Sequence, residues 1–320
     1  MILHLYIFFY NIISDNIMDY IHAYEYESNV NPYMKSIPIY KQNIQNCDYG
    51  ITFVDQSTNY NVEYKSTIPN LLASFIKLRE NTEFKKTNNE FTEKKTYSNA
   101  SSHLFYVMQG ECEIYLDYEI FFLSSDEIFI SPSFSTIRIY NRGKEDLHIY
   151  YVNDSPLLNY LGSSPTSKIF KPAIYSNEFL HRNLELLSNP ENNRKGILLS
   201  NNDTEKIGTN TITPILWTLY NQLPPQTNQK PHRHNSVALD LCIQSDDVEN
   251  IYTLVGKELN EDGTIKDPVK INWKKGEMFI TPPTLWHSHH NTGNTYAYIL
   301  PIQDAGLLLY QRILGIELLN

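Results

Sequence analysis

Of the ten histidines, five fall in two short clusters, Pro231-His232-Arg233-His234 and Trp286-His287-Ser288-His289-His290. In an extended chain residues two apart share a face, so His232 and His234 point the same way and Arg233 points away. Both imidazoles can then hold one metal ion, and His287, at the end of a strand that follows Pro282-Pro283, is the candidate third ligand. Three neutral nitrogens leave positions open on the ion. That set suits divalent iron or manganese in a catalytic role, although zinc, copper and nickel also accept imidazole and affinity order does not choose iron. His289 shares strand parity with His287. It either faces the same cavity, where a neutral imidazole can donate or accept near pH 7, or anchors a loop. His290 should point outward, and Asn291 should cap or brace a turn.

The elements that must position these rings are duplicated. Asp126-Glu-Ile-Phe-Ile-Ser-Pro132 is echoed by Gly276-Glu-Met-Phe-Ile-Thr-Pro282, and the same spacing of about 150 residues relates Asn141 to Asn291 and Asp154 to Asp304. A Leu-rich helical stretch follows each Asp. Leu104 to Gln109 resembles Leu239 to Gln244 with a smaller shift, so the second copy carries an insertion, placed at Asp246 to Asp267. Short runs rich in Ile, Phe, Tyr, Val and Thr, such as Leu71 to Leu78, His103 to Val107, Ile137 to Tyr140 and Leu147 to Val152, alternate with turn residues. Strands at this spacing predict an antiparallel sandwich or barrel in each copy. Between the copies Phe179, Leu180, Leu184 and Leu187 predict a linking helix over Asn177 to Leu187, and Asn81 to Ala100 reads as an exposed loop. In the same register His232 and His234 fall on Tyr97 and Asn99, and His287 falls on Ile137, so the first copy is expected to hold no metal. His103 and His148 are expected to be core or surface residues.

The blocks Gly276-Glu-x4-Pro282-x4-His287-x3-Asn291 and Pro231-His-Arg-His-Asn235 resemble the two motifs of the cupin superfamily. The phrasing around them and the Asp-x2-Leu-Leu tail are similar to bicupins of the gentisate and salicylate 1,2-dioxygenase group, over roughly Leu71 to Gly315. The resemblance implies an all-β fold of two tandem cupin (double-stranded β-helix, jelly-roll) barrels with a few linking and terminal helices. The expected divisions are an N-terminal extension at 1–60, a degenerate first barrel at 61–162 and a helical linker at 163–205. A metal-bearing barrel at 206–303 and a C-terminal helix at 304–320 complete them. It further implies one Fe(II) on His232, His234 and His287, with His289 positioning substrate or oxygen. Leu239 stands where other cupins carry a glutamate; Asp240, one place later, is expected to be an outer group rather than a ligand. The implied function is that of a mononuclear non-heme Fe(II) dioxygenase acting on a small hydroxylated aromatic acid and O2, as a homodimer or homotetramer. The alternatives are another metal-dependent cupin enzyme, an isomerase or decarboxylase, and a non-catalytic small-molecule binder. An arginine to clamp a substrate carboxylate is not apparent, since Arg233 has the wrong parity, Arg312 lies in the tail, and Arg79 and Arg138 belong to the first copy. Trp217, Tyr220, Trp286 and Tyr298 are candidates for an apolar pocket wall.

Composition narrows the remaining classes. The 320 residues are 41% hydrophobic and 19% charged, enough apolar side chain for one or two folded domains and too much for a disordered chain. With 26 Lys and Arg against 36 Asp and Glu the formal charge is -10, which argues against nucleic acid as a partner. Cys47, Cys112 and Cys242 are scattered, so neither a disulfide framework nor a thiolate zinc site is expected, and a reducing, cytoplasmic location fits. The apolar run from Met1 to Ile13 is too short to span a bilayer and is expected to be a packing segment or an over-extended start, with Met18 as initiator.

Overall fold

The computed structural model describes residues 21–30, 34–87, 99–187 and 195–319. The expectations for Met1 to Ile13, Met18 and Tyr97 lie outside the described residues, as do residues 88–98 of the loop expected at 81–100, whose described start holds the strand Glu83–Thr87 instead. Residues 1–36 form a unit of their own, in which one helical turn, Tyr26–Asn29, is capped by the Glu25 carboxylate accepting from the amides of Glu27 and Ser28. Residues 37–320 form the second unit, which holds both sequence repeats. No helix among the described residues is long and apolar enough to cross a membrane.

Each repeat builds an antiparallel six-stranded sheet of matching order. In the first copy the order is Ala173–Tyr175, Ile128–Pro132, Ser102–Gln109, Leu147–Asn153, Leu72–Leu78 and Gly50–Phe53. In the second it is Lys41–Asn43, Glu277–Thr281, Ala238–Gln244, Ala297–Gln303, Trp217–Leu223 and Lys195–Leu199. The central strands read as unbroken apolar runs because both faces are covered. In Leu147–Asn153, Leu147, Ile149 and Tyr151 join the first barrel's interior, while Tyr150 and Val152 join a cluster shared with Tyr220, Leu239, Leu241 and Ile302 of the second copy. The opposing sheet of the first barrel runs Glu83–Thr87, Thr136–Asn141, Glu111–Leu116, Glu119–Ser124. That of the second barrel runs Val269–Asn272, Ile251–Gly256, Trp286–Asn291, His232–His234, Ile316–Leu318.

The repeat extends to hydrogen bonds. Asn141 Nδ2 donates to the carbonyls of Leu78 (3.2 Å) and Glu145 (2.8 Å), and Asn291 Nδ2 donates to those of Leu223 (3.0 Å) and Thr295 (2.8 Å). Asn291 thus braces its turn. The Asp154 carboxylate accepts from the amides of Ser101 and Ser102, and that of Asp304 from the amide of Val237 and from Asn70 Nδ2. Each aspartate thereby fastens the chain entering the strand that runs across its own sheet. Gly276, at φ +78, and its counterpart Asp126, at φ +65, make the same left-handed turn. A Cβ at Gly276 would lie 3.0 Å from Ile44 Cγ2, because the N-terminal segment packs there and the Ile44 amide bonds the Gly276 carbonyl.

Several expected divisions are redrawn by strand pairing. Within the segment expected as an extension, Lys41–Asn43 pairs with Glu277–Thr281 of the second barrel and Gly50–Phe53 pairs with Leu72–Leu78 of the first. The expected helical linker holds the helix Asn177–Leu187, with Leu180 and Leu184 buried and Phe179 and Leu187 exposed. It also supplies two edge strands: Ala173–Tyr175 to the first barrel and Lys195–Leu199 to the second. The segment preceding each barrel therefore lends a strand to the other. The insertion placed at Asp246 to Asp267 contains a barrel strand, Ile251–Gly256. The extra length is the excursion from there to Val269–Asn272, pinned by a bridge between Leu259 and Ile265. The C-terminal helix is confined to Ala305–Tyr310; the chain reverses at Arg312 (φ +61) and returns as the strand Ile316–Leu318. Asn235 stabilises that reversal, donating to the Ile313 carbonyl and accepting from the Gly315 amide, both at 2.8 Å.

Candidate metal centre

His232 and His234 lie on a three-residue strand, two apart, and His232 pairs directly with His287 on Trp286–Asn291. The ring centroids of His232 and His287 are 4.0 Å apart, those of His234 and His287 4.8 Å. One nitrogen from each of the three rings lies within 4.8 Å of the others, the spacing of ligands around a common ion. The orientation has a local cause. His234 Nδ1 donates to the Ser236 carbonyl at 2.9 Å and His287 Nδ1 to the Leu285 carbonyl at 3.0 Å, which leaves each Nε2 with its lone pair unprotonated. Burial lowers the His234 pKa, so the neutral form needed for ligation is favoured. The Ser236 hydroxyl lies 3.0 Å from the same Nδ1 and donates to Gln303 Oε1 at 2.7 Å.

These rings open onto a cavity of about 270 Å³ inside the second barrel. Its wall includes Trp217, Leu219 and Asn221, alternate residues of one strand, with Ala238, Asp240, His289, Pro301 and Gln303. Ile316 and Leu318 of the returning C-terminal strand close one side. The opposite end of the barrel is packed solid by Cys242, Ile251, Val255, Phe279 and Ile299. In the first barrel Ile137 and Ile139 stand at the positions of His287 and His289, and both are core residues. His103 is likewise buried, its Nδ1 2.7 Å from the Tyr151 hydroxyl and its ring 4.3 Å from that of Phe134. Burial drives its pKa down to about 3.

His289 is buried on the cavity wall, with Nδ1 2.8 Å from Thr253 Oγ1. Trp273 Nε1 donates to the same hydroxyl at 2.8 Å. An indole N–H only donates, so Thr253 Oγ1 accepts from Trp273, and the hydroxyl ties the indole to His289 Nδ1. His290 faces the other way, between Asn228 Oδ1 (2.9 Å) and Ser288 Oγ (2.7 Å), stacked on Tyr252. Arg233 also turns from the cavity, paired with Glu317 and lying over Trp286. Of the four aromatics considered for the wall only Trp217 lines it; Tyr220 and Tyr298 pack in the cluster shared by the barrels.

Asp240 lines the cavity and is not among the three converging imidazoles. Leu239 points into the cluster shared by the barrels, so the cavity-facing residues of its strand are Ala238 and Asp240. The Asp240 carboxylate is buried, accepts from Thr281 Oγ1 at 2.5 Å, and has a pKa raised to about 7 by burial, partly offset by that hydrogen bond. Strand parity counted back from Cys242, which faces the barrel interior, is the signal that finds it. Thr253 and Trp273 carry no such sequence signal, because only the barrel's closure brings them to His289.

No family model matches the sequence, and no curated protein resembles it in sequence. Solved structures do resemble the fold. Salicylate 1,2-dioxygenase from Pseudoaminobacter salicylatoxidans, in adducts with gentisate, superposes with a TM-score of 0.69 at 11% identity over 97% of this chain and 93% of that one. A second structure of that enzyme gives 0.59 at 13% identity over 79% and 76%. Vicilin from hazelnut (Corylus avellana) gives 0.50 at 11% identity over 86% of each chain. The fold is therefore that of the bicupins. At these identities the likeness reaches no further than the fold, which supports unrelated functions.

Proposed function

We propose that this chain is a mononuclear metal-dependent bicupin oxygenase that oxidises a small hydroxylated aromatic substrate with O2. The observation that carries the reading is the convergence of three imidazoles, two of them anchored through Nδ1, on a cavity sized for one substituted ring. His232, His234 and His287 would hold Fe(II), which when bound supplies Lewis acidity and one-electron exchange with oxygen. The protein's own contributions are separate. Trp217 offers a flat apolar wall to the ring, while Ile316 and Leu318 screen the site from bulk water. His289 presents its imidazole to the cavity, held in place by the hydrogen-bonded chain from Trp273 through Thr253.

Anaerobic reconstitution with Fe(II), followed by oxygen-uptake measurements against gentisate, salicylate and related hydroxylated rings, tests this reading. Uptake abolished by His232→Ala supports it, and no uptake with any of them overturns it. A second reading follows from Asp240, a buried cavity carboxyl with a pKa near neutrality, which suits proton transfer in an isomerase or decarboxylase. Turnover by the zinc-loaded protein without oxygen would select that one.

A further inference from the structure

We infer that Asp240 determines substrate specificity, selecting a ring that carries a hydrogen-bond donor, an amine or a hydroxyl, and rejecting one that carries a carboxylate. The inference rests on the reading of this cavity as the substrate site and deepens it.

Asp240 sits on the middle strand of its sheet, between Phe279 on one neighbour and Pro301 on the other. Its side chain is buried, and among the described residues its one hydrogen-bond partner is the Thr281 hydroxyl, on Oδ2. An ionised carboxylate offers about four acceptor sites. Thr281 uses one of them, so the cavity side is left to a ligand. Burying a charged oxygen without donors is costly, and a donor brought by the substrate relieves that cost, whereas a second carboxylate adds like-charge repulsion.

Neither nearby basic side chain can mask the charge. Among the described residues Lys195 is the one Lys or Arg lining the cavity, and its ammonium is 2.5 Å from Glu185 Oε1. Arg233 is held on the far side of its strand by Glu317 and Trp286. Among the described residues the lining therefore holds no guanidinium to grip a substrate carboxylate, and it holds a carboxyl.

The first barrel gives an internal control. Phe105 pairs with Phe129 in the register in which Asp240 pairs with Phe279, and it lies in an aromatic core against Tyr151. The fold at this position is thus satisfied by hydrocarbon. A carboxyl there adds nothing that the barrel needs for packing, and its use is found in the cavity it faces.

The test compares three probes of one ring size, 2-(aminomethyl)phenol, 2-(hydroxymethyl)phenol and salicylate. Binding is titrated calorimetrically near pH 8 to the full chain, both metal-free and loaded with redox-silent zinc. The aminomethyl probe should bind about tenfold or more tightly than salicylate, with the hydroxymethyl probe between them. Asp240→Asn, which retains an acceptor for Thr281, should bring the three within about threefold of one another. Equal or tighter binding of salicylate by the unaltered protein overturns the proposal, as does a preference that survives Asp240→Asn, or no binding of any probe. The metal reading fails separately. If zinc does not bind but the aminomethyl preference holds in the metal-free chain, Asp240 keeps its role and the triad loses its own. If the iron-loaded enzyme oxidises salicylate as readily as the amine, the triad keeps its role and Asp240 loses it.

Discussion

His232 lies directly across from His287 in the antiparallel pairing of their strands, with ring centroids 4.0 Å apart. Two rings of the triad thus come from one backbone register, and the third, His234, follows from the two-residue period of the same strand. A one-residue slip would turn His232 and His234 outward together. The centre is therefore as stable as the sheet, and removing one ring should leave the other two in place. His287→Ala should lower affinity for a divalent ion by about 100-fold or more. The check is metal content after dialysis, with circular dichroism to verify that the barrels remain folded. Unchanged stoichiometry would show that the triad is not the site.

Thr253 has a different job. Its hydroxyl links Trp273 Nε1 to His289 Nδ1, both at 2.8 Å, and so holds the His289 ring against the barrel wall. Thr253→Val keeps the shape and deletes the link. Turnover under the proposed reaction should fall about 10- to 100-fold while metal content stays at the parent level. Orphaning the buried indole N–H should also cost about 1–3 kcal/mol of stability. Thr253→Ser should restore both. A valine variant with unaltered turnover would reduce His289 to a wall residue.

Asp240 gives the metal-free protein a pH signature whose sign is opposite to that of a salt-bridged carboxylate. Burial raises its pKa to about 7 from an ordinary value near 3.8, so the fold favours the protonated acid. Its contribution to stability is complete below the unfolded value and is lost as pH rises toward 7. Asp240→Asn removes that loss. The variant should therefore be more stable than its parent at pH 8, by roughly 1–3 kcal/mol, and closer to it at pH 5. Urea denaturation at the two pH values checks the difference. A gain of equal size at both would mean that Asp240 is ionised throughout.

His103 predicts the reverse trend in the first barrel. Its pKa falls from 6.5 to about 3 through burial, so the unfolded chain takes up a proton that the folded one refuses. Stability is full above the unfolded value and is lost as pH falls from about 6.5 toward 3. NMR titration of the ring should show no protonation down to pH 5, where the fold persists; a midpoint near 6 would contradict its burial beside Phe134 and Tyr151.

The duplicated barrel and the three converging histidines are legible in the sequence because both obey short periods. His-x-His is a strand signal, and the echo of Asp126 to Pro132 in Gly276 to Pro282 fixes the copies in register. Pairing between distant segments is not legible in that way. Nothing in Lys41-Gln-Asn43 announces that it borders Glu277–Thr281, because an edge strand is chosen by which sheet edge lies open once the barrels have formed. Asp240 stands one residue beyond Leu239, and alternation puts neighbours on opposite faces. Register within the strand, not proximity along the chain, decides which of Leu239 and Asp240 meets the cavity.

The returning C-terminal strand is the last part of the site and the least anticipated. Ile316–Leu318 pairs with all three residues of His232–His234, placing Leu318 opposite His232 and Ile316 opposite His234. Both apolar side chains line the cavity, while Glu317 between them reaches Arg233 on the outer face. The strand thus both fills the open edge of the ligand strand and closes the pocket wall. Deleting residues 316–320 should leave the barrels folded, since these side chains belong to neither barrel's core. It should raise KM about 10-fold or more and weaken metal binding, because water and mobility reach His232 and His234 together. Glu317→Gln removes only the exposed ion pair and should change either quantity by less than about twofold. If the deletion behaves like Glu317→Gln, the strand is an ornament on the edge, and the cavity is bounded without it.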